Sequence, residues 1–547
     1  MMQAAAAIRR GTRNGAPAPG APEPGHRSAP TARTATVLAV LALLFSGVVQ
    51  AAISPPWNLL VLHPVAWVPA MWVIRRLRGG SALMAGWLVG MSANLTIFYW
   101  LPGTMIRFGD LPLPAALAAW LLFGAAMGFY AAIFAWGFGR IRAAAGMMWP
   151  VAIAAWFCAL EFLNPQIFGY LQGHAWYQVP EVFLLSAVTG VSGVSFLVMS
   201  CNAVVLQGLE AFHERRLPIR SFGVNAAVLA IFCAAAVMYS HTRLQRIAEA
   251  EQRAPVLTVA VIQPDHTIER RRELSRMKRD AFARDLVALS QKAIAEAGGR
   301  KIDVFVWPEG ALPTDPSQPE NRVVLDFVRA TGAEVWTGGN HEEGRGGSEH
   351  NSAFRIHPPG QIDRRYDKNI LVPFGEYVPL RDVIPGFDRI RTVGSFEPGV
   401  EVPAYESGPA RFVFSICYEA IHAGFVRSSL RPDTNLLVNV TVDAWYGDSS
   451  EQSQHLMLAA AQSATHGIPL VRSTTTGISA ITDARGVLVA RSGKFTREAL
   501  VREVRPLRVP APYTRWGEWL AWLCVAASVL LLAATLRLRQ AVQFSSS

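Results

Sequence analysis

Seven apolar stretches, at about 35–53, 57–74, 82–102, 113–138, 147–163, 183–206 and 222–240, fill the first 240 residues, and an eighth at 517–536 follows a long polar region. A helix needs roughly 20 apolar residues to cross about 30 Å of hydrocarbon, and several of these stretches reach that length. Such a chain cannot bury its apolar surface in one soluble core. A multi-pass α-helical membrane domain is expected, with a polar domain between its last two spans. Composition agrees, since 51% hydrophobic and 17% charged residues leave too little charge for a soluble protein of 547 residues. The second and fifth stretches are short, with Pro64 and Pro69 interrupting the second and Pro150 the fifth.

The net charge of +11 suggests either nucleic acid or membrane topology, and the placement of the arginines separates the two. Arg9, Arg10, Arg13, Arg27 and Arg33 precede the first span, and Arg75, Arg76 and Arg78 follow the second. Arg140 and Arg142 follow the fourth, Arg215, Arg216 and Arg220 the sixth, and Arg537 and Arg539 the eighth. The alternate loops hold almost nothing basic, Arg107 being the exception. No basic stripe or nucleic-acid-binding fold accompanies the charge, so no nucleic-acid partner is expected. The positive-inside rule puts both termini in the cytoplasm, and an odd number of spans before residue 241 puts the polar region on the other side. The expected division is a disordered basic arm at 1–34 and a transmembrane domain of about seven helices at 35–240. An extracytoplasmic catalytic domain at 241–512 and a C-terminal helix with a short tail at 513–547 complete it. The first span also reads as a cleaved signal peptide with a weak site at Val49-Gln50-Ala51, which leaves the remaining topology unchanged.

Within the polar region, strands are expected at Leu257–Gln263, Asp303–Trp307, Glu334–Gly338, Ser352–Ile356, Arg411–Ile416, Leu436–Val440 and Leu470–Thr474. Helices are expected at Arg270–Glu296, Glu320–Ala330 and near Glu451–His466. Strands alternating with helices define an α/β layered domain.

Three segments fall at or after strand ends: Trp307-Pro308-Glu309, Tyr366–Pro379 and Ile416–Glu419. Side chains at such ends face the ligand crevice of an α/β domain. Cys417 is the one cysteine in the polar region, whereas Cys158, Cys201, Cys233 and Cys524 lie in apolar stretches as small hydrophobes. A thiol with a pKa near ~8.5 is little ionised at neutral pH and needs a base and a cation to act as a nucleophile. Glu309 can serve as general base and then acid. Lys368 can stabilise thiolate and oxyanion, and Cys417 can carry an acyl group as a thioester. Glu376 is placed to orient the ammonium, and Glu419 to tune the thiol or position an acceptor amine. Taken singly, a Glu or Lys is usually solvated surface and a lone cysteine is more often core. The signal is their joint occurrence inside long segments.

These segments resemble the nitrilase superfamily, whose Glu-Lys-Cys triad occurs in this order on an αββα sandwich. More narrowly, Leu371–Pro379 and Ile416–Glu419 resemble the apolipoprotein N-acyltransferase branch, as do Asn351–Ala353, Asp443–Ser449 and Gly477–Ala480. The resemblance covers nearly the whole chain. It implies that Glu309 is the base, Lys368 the oxyanion-stabilising lysine and Cys417 the acylated nucleophile, with Glu376, Tyr418 and Glu419 lining or supporting the site. It also implies a phospholipid donor such as phosphatidylethanolamine, a diacylglyceryl-cysteine lipoprotein acceptor, and a place in the bacterial inner membrane with the catalytic domain on the periplasmic face. Two departures are Tyr446 where Phe is usual and Thr475 where Asn is common.

No metal is expected, because His341, His350, His357, His422, His455 and His466 lack metal-ligand spacing. No cofactor is expected either, and the chain is expected to be a monomer. Glu161, Asn164 and Gln166, near the end of the fifth span, read as interfacial or as lining a substrate entry. The apolar stretch Val378–Phe396 reads either as a membrane-dipping gate or as a loop packed on its own domain. Two rival functions are a membrane-attached amidase or hydrolase of the same superfamily and an inactive membrane scaffold.

Overall fold

Leu257–Gln263 (β1) and Val304–Val306 (β2) alternate two apolar faces, and that alternation sets the layering of the polar region. In the computed structural model, which describes residues 32–214, 219–277, 280–344, 347–378 and 396–545, Val259, Val261, Val304 and Val306 point into one core. Ala260, Ile262 and Phe305 point into another, beneath the helices Ala281–Glu296 (α1) and Arg322–Thr331 (α2). A strand buried on both faces must be nearly all apolar, and these are.

The first sheet adds Glu334–Glu342 (β3), Glu349–His357 (β4), Gln361–Ile362 (β5) and Tyr366–Asp367 (β6), and it closes with Glu498–Val504 (β13). Its order is β13-β1-β2-β3-β4-β5, with β6 also paired to β4; β1, β2 and β3 are parallel and the rest antiparallel. The second sheet comprises Ala404–Ser407 (β7), Ala410–Ile416 (β8), Leu436–Thr441 (β9), Leu470–Thr474 (β10), Ala480–Thr482 (β11) and Leu488–Arg491 (β12). Its order is β12-β11-β10-β9-β8-β7, with β8, β9 and β10 parallel. The sheets meet face to face, Trp336 of β3 stacking on Phe412 of β8 with ring centroids 4.0 Å apart. Helix Glu451–His466 (α3) covers the second sheet, completing an αββα sandwich. Every side chain of α3 except Ser453 is buried, because its far side packs on the helical N-terminal half.

That half is helical from Ala32, so residues 32–34, expected in the arm, form the first turn of a helix instead. The rest of the arm, at 1–31, lies outside the described residues. By length and composition, five helical stretches are able to cross a membrane, and a sixth if Gly80–Ile97 and Leu101–Gly109, bent by 56°, form one span. One of the five, Leu113–Leu163, doubles back near Gly146–Met148, since Phe134 packs on Phe157 and Phe138 on Trp149. It therefore supplies two antiparallel passes. The proline-broken second stretch is a short 3₁₀ turn at Leu60–Val65 followed by a helix at Val68–Ile74. The sixth begins at Val191, after two single-turn helices at Pro180–Phe183 and Ser186–Thr189. The seventh runs from Ile219 to Arg253, well past residue 240, so the expected domain boundary falls inside a helix.

The bundle has two distinct ends relative to the sandwich. Ile97, Ile167 and Ser186 lie at the end facing it, as the bonds Gln454–Ile97, Tyr418–Ile167 and Thr465–Ser186 record. Arg75 and Arg142 meet at the opposite end, where both pair with the buried Glu210 at 2.9 and 2.6 Å. The cluster of Arg75, Arg142 and Glu210 and the sandwich thus lie at opposite ends of the bundle.

Candidate active site

The parallel strands β2, β8 and β9 deliver their C-terminal ends to one point. Glu309 follows β2, Cys417 follows β8, and Val442 and Asp443 follow β9, while Lys368 comes from the loop after β6. Close approach is needed at Gly338, where a Cβ would sit 2.5 Å from the Glu309 Cα. Cys417 has φ of +51°, in the left-handed region that β-carbon sterics disfavour, so the chain turns sharply at the thiol. Strain held at a single residue persists where surrounding structure over-determines it, as at functional sites.

The three expected catalytic side chains come together in a buried cluster. Lys368 Nζ donates to Glu376 Oε1 at 2.9 Å and to Glu309 Oε1 at 3.4 Å. Asn351 Nδ2 donates to the same two oxygens, at 2.9 and 2.6 Å, and the Val442 N–H donates to Glu309 Oε2 at 2.8 Å. Burial pulls the Lys368 pKa down, but Glu309, Glu376 and Cys417 outweigh it and the net shift is upward, so the ammonium keeps its charge. For Glu309, burial raises the pKa, Lys368 lowers it and Glu376 raises it again, for a net shift up. A carboxyl raised in this way is a better base near neutral pH than an ordinary Glu. The Cys417 thiol is pushed well up, first by burial and then by Glu309, with Lys368 opposing. Burial thus favours the neutral thiol of Cys417 over the thiolate.

Glu376 accepts from the ammonium through Oε1, with its other oxygen tied to the Val372 N–H at 2.8 Å. Glu419 does something different from either role expected of it. Its carboxylate accepts three backbone N–H groups: Asn369 at 2.6 Å, Ile370 at 3.1 Å and Ile416 at 2.7 Å. It fastens the strand end carrying Cys417 to the loop carrying Lys368, and burial pushes its pKa up to about 7. Fully buried and committed to backbone, it has no free oxygen to offer an incoming amine. The Tyr418 hydroxyl donates to the Ile167 carbonyl of the helical half, so the residue after the nucleophile anchors the sandwich to the bundle.

Two contributors carried weaker sequence signals. Asn351 bridges both carboxylates, and as one polar residue within β4 it gave no spacing cue of its own. Asp443 accepts from buried Arg472 at 3.0 Å and bonds His455 Nδ1 at 3.0 Å, and His455 Nε2 lies 3.2 Å from the Cys417 carbonyl. Asp443, Glu451 and His455 are close enough to share a cation, but Arg472 already supplies positive charge there. Of the two departures, Tyr446 packs edge-on against Trp100 at 5.1 Å, and the Thr475 hydroxyl is buried without a hydrogen-bond partner. Of the stretch Val378–Phe396 read as a gate or a packed loop, residues 379–395 lie outside the described residues, while Val378 is buried and Phe396 pairs with Glu349.

An αββα sandwich with a Glu, a Lys and a Cys converging at its strand ends belongs to the carbon–nitrogen hydrolase class. The carbon-nitrogen hydrolase family model matches residues 234–511, and the apolipoprotein N-acyltransferase N-terminal domain model matches residues 46–204. An apolipoprotein N-acyltransferase of Geobacter metallireducens is 29% identical over 91% of this chain and 95% of its own. One from Sinorhizobium fredii is 30% identical over 87% and 89%, and one from Haemophilus influenzae 26% identical over 87% and 91%. The chain belongs to the apolipoprotein N-acyltransferase family and is an acyltransferase of the carbon–nitrogen hydrolase superfamily.

Proposed function

We propose that this protein transfers a fatty acyl chain from a membrane phospholipid, through a thioester on Cys417, to the N-terminal amine of a diacylglyceryl-cysteine lipoprotein. The observation that carries the reading is the buried Lys368 ammonium bridging Glu309 and Glu376 beside the Cys417 thiol. In the first half-reaction Glu309 accepts the thiol proton and the sulfur attacks the ester carbonyl carbon of the lipid. The tetrahedral oxyanion is stabilised by Lys368. Its collapse breaks the ester C–O bond, and Glu309 returns the proton to the departing lysophospholipid oxygen. In the second, the neutral amine attacks the thioester and Glu309 takes a proton from the nitrogen. The C–S bond then breaks, and the sulfur regains a proton.

The proposed division is a membrane bundle, an extracytoplasmic catalytic sandwich at 241–512 and a closing span, set in the bacterial inner membrane with the sandwich in the periplasm. The opposed placement of sandwich and arginine cluster supports this orientation. Membrane attachment also spares the enzyme from extracting lipid chains, at about 0.8 kcal/mol per CH₂.

The test incubates purified full-length protein with phosphatidylethanolamine and reads Cys417 by intact mass. An acyl adduct that hydroxylamine removes, and that a diacylated lipopeptide discharges, is expected; Cys417→Ser should form none. An adduct lost to water equally fast without the peptide would make the protein a hydrolase. No adduct on folded protein would leave a scaffold.

A further inference from the structure

Glu161 is a carboxylate buried in the membrane bundle, 4% exposed, near the end of the helix Trp149–Leu163. A carboxylate buried beside apolar helices is costly to keep charged unless its oxygens are paired, and so marks a candidate site. It is half paired. Oε1 accepts from the Gln172 N–H at 2.6 Å, whereas Oε2 has no hydrogen-bond partner. The Ser195 hydroxyl accepts from the Gly173 N–H at 2.9 Å and keeps its own O–H for the Glu161 carboxylate beside it, which leaves Oε2 as the oxygen without a partner. Arg75 and Arg142, which pair with Glu210 at the other end of the bundle, do not serve it.

Glu161 lines a pocket open in part to solvent, with Asn94, Tyr130, Asn164, Phe123 and Met127 among its other walls. Phe98, Phe168 and Tyr170 belong both to this pocket and to a second one. The second is walled by Tyr418 and His455, which flank the nucleophile in sequence and touch its carbonyl respectively. The two spaces therefore adjoin through shared aromatic walls. A pocket of aromatic and apolar walls, neutral amides and one unpaired carboxylate oxygen suits an amphiphile carrying a primary ammonium.

We infer that the Glu161 cavity is a binding site for the primary ammonium of a membrane amphiphile, held by the free carboxylate oxygen beneath the acylation site. The inference rests on the lipid-transfer reading for its choice of amphiphile. Two molecules in that reading carry this chemistry, the aminoethyl phosphate headgroup of the donor and the N-terminal ammonium of the diacylated peptide.

Binding without turnover separates this inference from the proposed reaction. Full-length Cys417→Ala protein in detergent, with and without Glu161→Gln, is titrated with phosphatidylethanolamine, phosphatidylglycerol and a diacylated lipopeptide with a free or acetylated N-terminus. Bound lipid and peptide are counted by native mass spectrometry. A charge-assisted hydrogen bond lost from the site should cost about tenfold or more in affinity. Loss of the preference for phosphatidylethanolamine over phosphatidylglycerol would assign the headgroup. Loss of the preference for the free over the acetylated peptide would assign the N-terminus. Glu161→Asp should restore part of either preference. If Glu161→Gln does not fold, Met127→Trp fills the cavity without touching the carboxylate and should lower affinity for the same ligand. Both preferences unchanged in folded Glu161→Gln, or affinity unchanged in Met127→Trp, would overturn the inference. Absence of a thioester in the activity assay would instead overturn the proposed reaction and leave these binding ratios readable.

Discussion

Replacing Asn351 by Leu should move the acid limb of the acylation rate to higher pH. The amide Nδ2 donates to Glu309 at 2.6 Å and to Glu376 at 2.9 Å, and the residue is buried, so an apolar side chain of similar size leaves both oxygens short of a donor. A hydrogen bond to a charged group contributes about 1.5–3 kcal/mol. One pKa unit corresponds to about 1.36 kcal/mol, so losing this donor should raise the pKa of Glu309 by about one to two units. The sign follows from the donor's preference for the ionised carboxylate. Burial already holds Glu309 above the ordinary range, and removing Asn351 adds to that shift. The base must be ionised to accept the thiol proton, so the rate at neutral pH should fall by about tenfold or more and recover as the pH rises. Glu309, Glu376 and Lys368 interact strongly, and the measured limb belongs to the cluster. The assay is single-turnover acylation of Cys417 from phosphatidylethanolamine, read by intact mass across a pH series. A folded variant whose limb stays in place would refute the assignment, even if its rate were lower at every pH.

Lys368→Ala should form the Cys417 adduct at least about a hundredfold more slowly, because the oxyanion loses its cation. It should also be less thermostable, since Glu309 and Glu376 are left buried without their cation. A near-native rate would remove Lys368 from the mechanism. Glu419→Gln should lower the melting temperature, because an amide NH₂ must then face one of three backbone donors, at a cost of about 1–3 kcal/mol. Unchanged stability with a raised KM for the lipopeptide would instead place Glu419 at the acceptor. In a Cys417→Ala background, a cysteine at Lys301, exposed on the sandwich, should react with a membrane-impermeant maleimide added to intact spheroplasts. A cysteine at Arg78 should react after lysis alone, and the reverse pattern would invert the orientation.

Legibility in the sequence followed how local each signal was. Leu257–Gln263 and Glu451–His466 have the bounds that pattern alone suggests, because a run rich in apolar β-branched residues and an uninterrupted helical segment are self-contained. The expected helix Arg270–Glu296 is instead two, Ile268–Arg276 and Ala281–Glu296. Charge content gave no hint of the break. Strands β5, β6, β7, β11, β12 and β13 were missed. They are edge or near-edge strands with mixed polarity, such as Leu488–Arg491, and pairing partners rather than their own pattern stabilise them. The convergence of Glu309, Lys368 and Cys417 was legible because each sits in a long segment at a strand end. The bridging by Asn351 and the backbone clamp of Glu419 depend on how two loops lie against each other, which spacing does not encode.

The contacts between sandwich and bundle cluster around the nucleophile. Tyr418 bonds Ile167, and α3, which carries His455 to the Cys417 carbonyl, is itself bonded to the bundle at both ends. Gln454 accepts from the Trp100 indole at 3.1 Å and donates to the Ile97 carbonyl at 3.0 Å, and Thr465 bonds Ser186 at 3.1 Å. The helical bundle covers the outer face of α3. Here that face is apolar and small, with Leu458, Ala461 and Ala464 all buried. Cutting the chain between bundle and sandwich would expose this surface and release Tyr418 and His455 from the groups that fix them. The catalytic geometry is thus a property of the whole chain, with the thiol held at a set height above the helices by the residues that build its site.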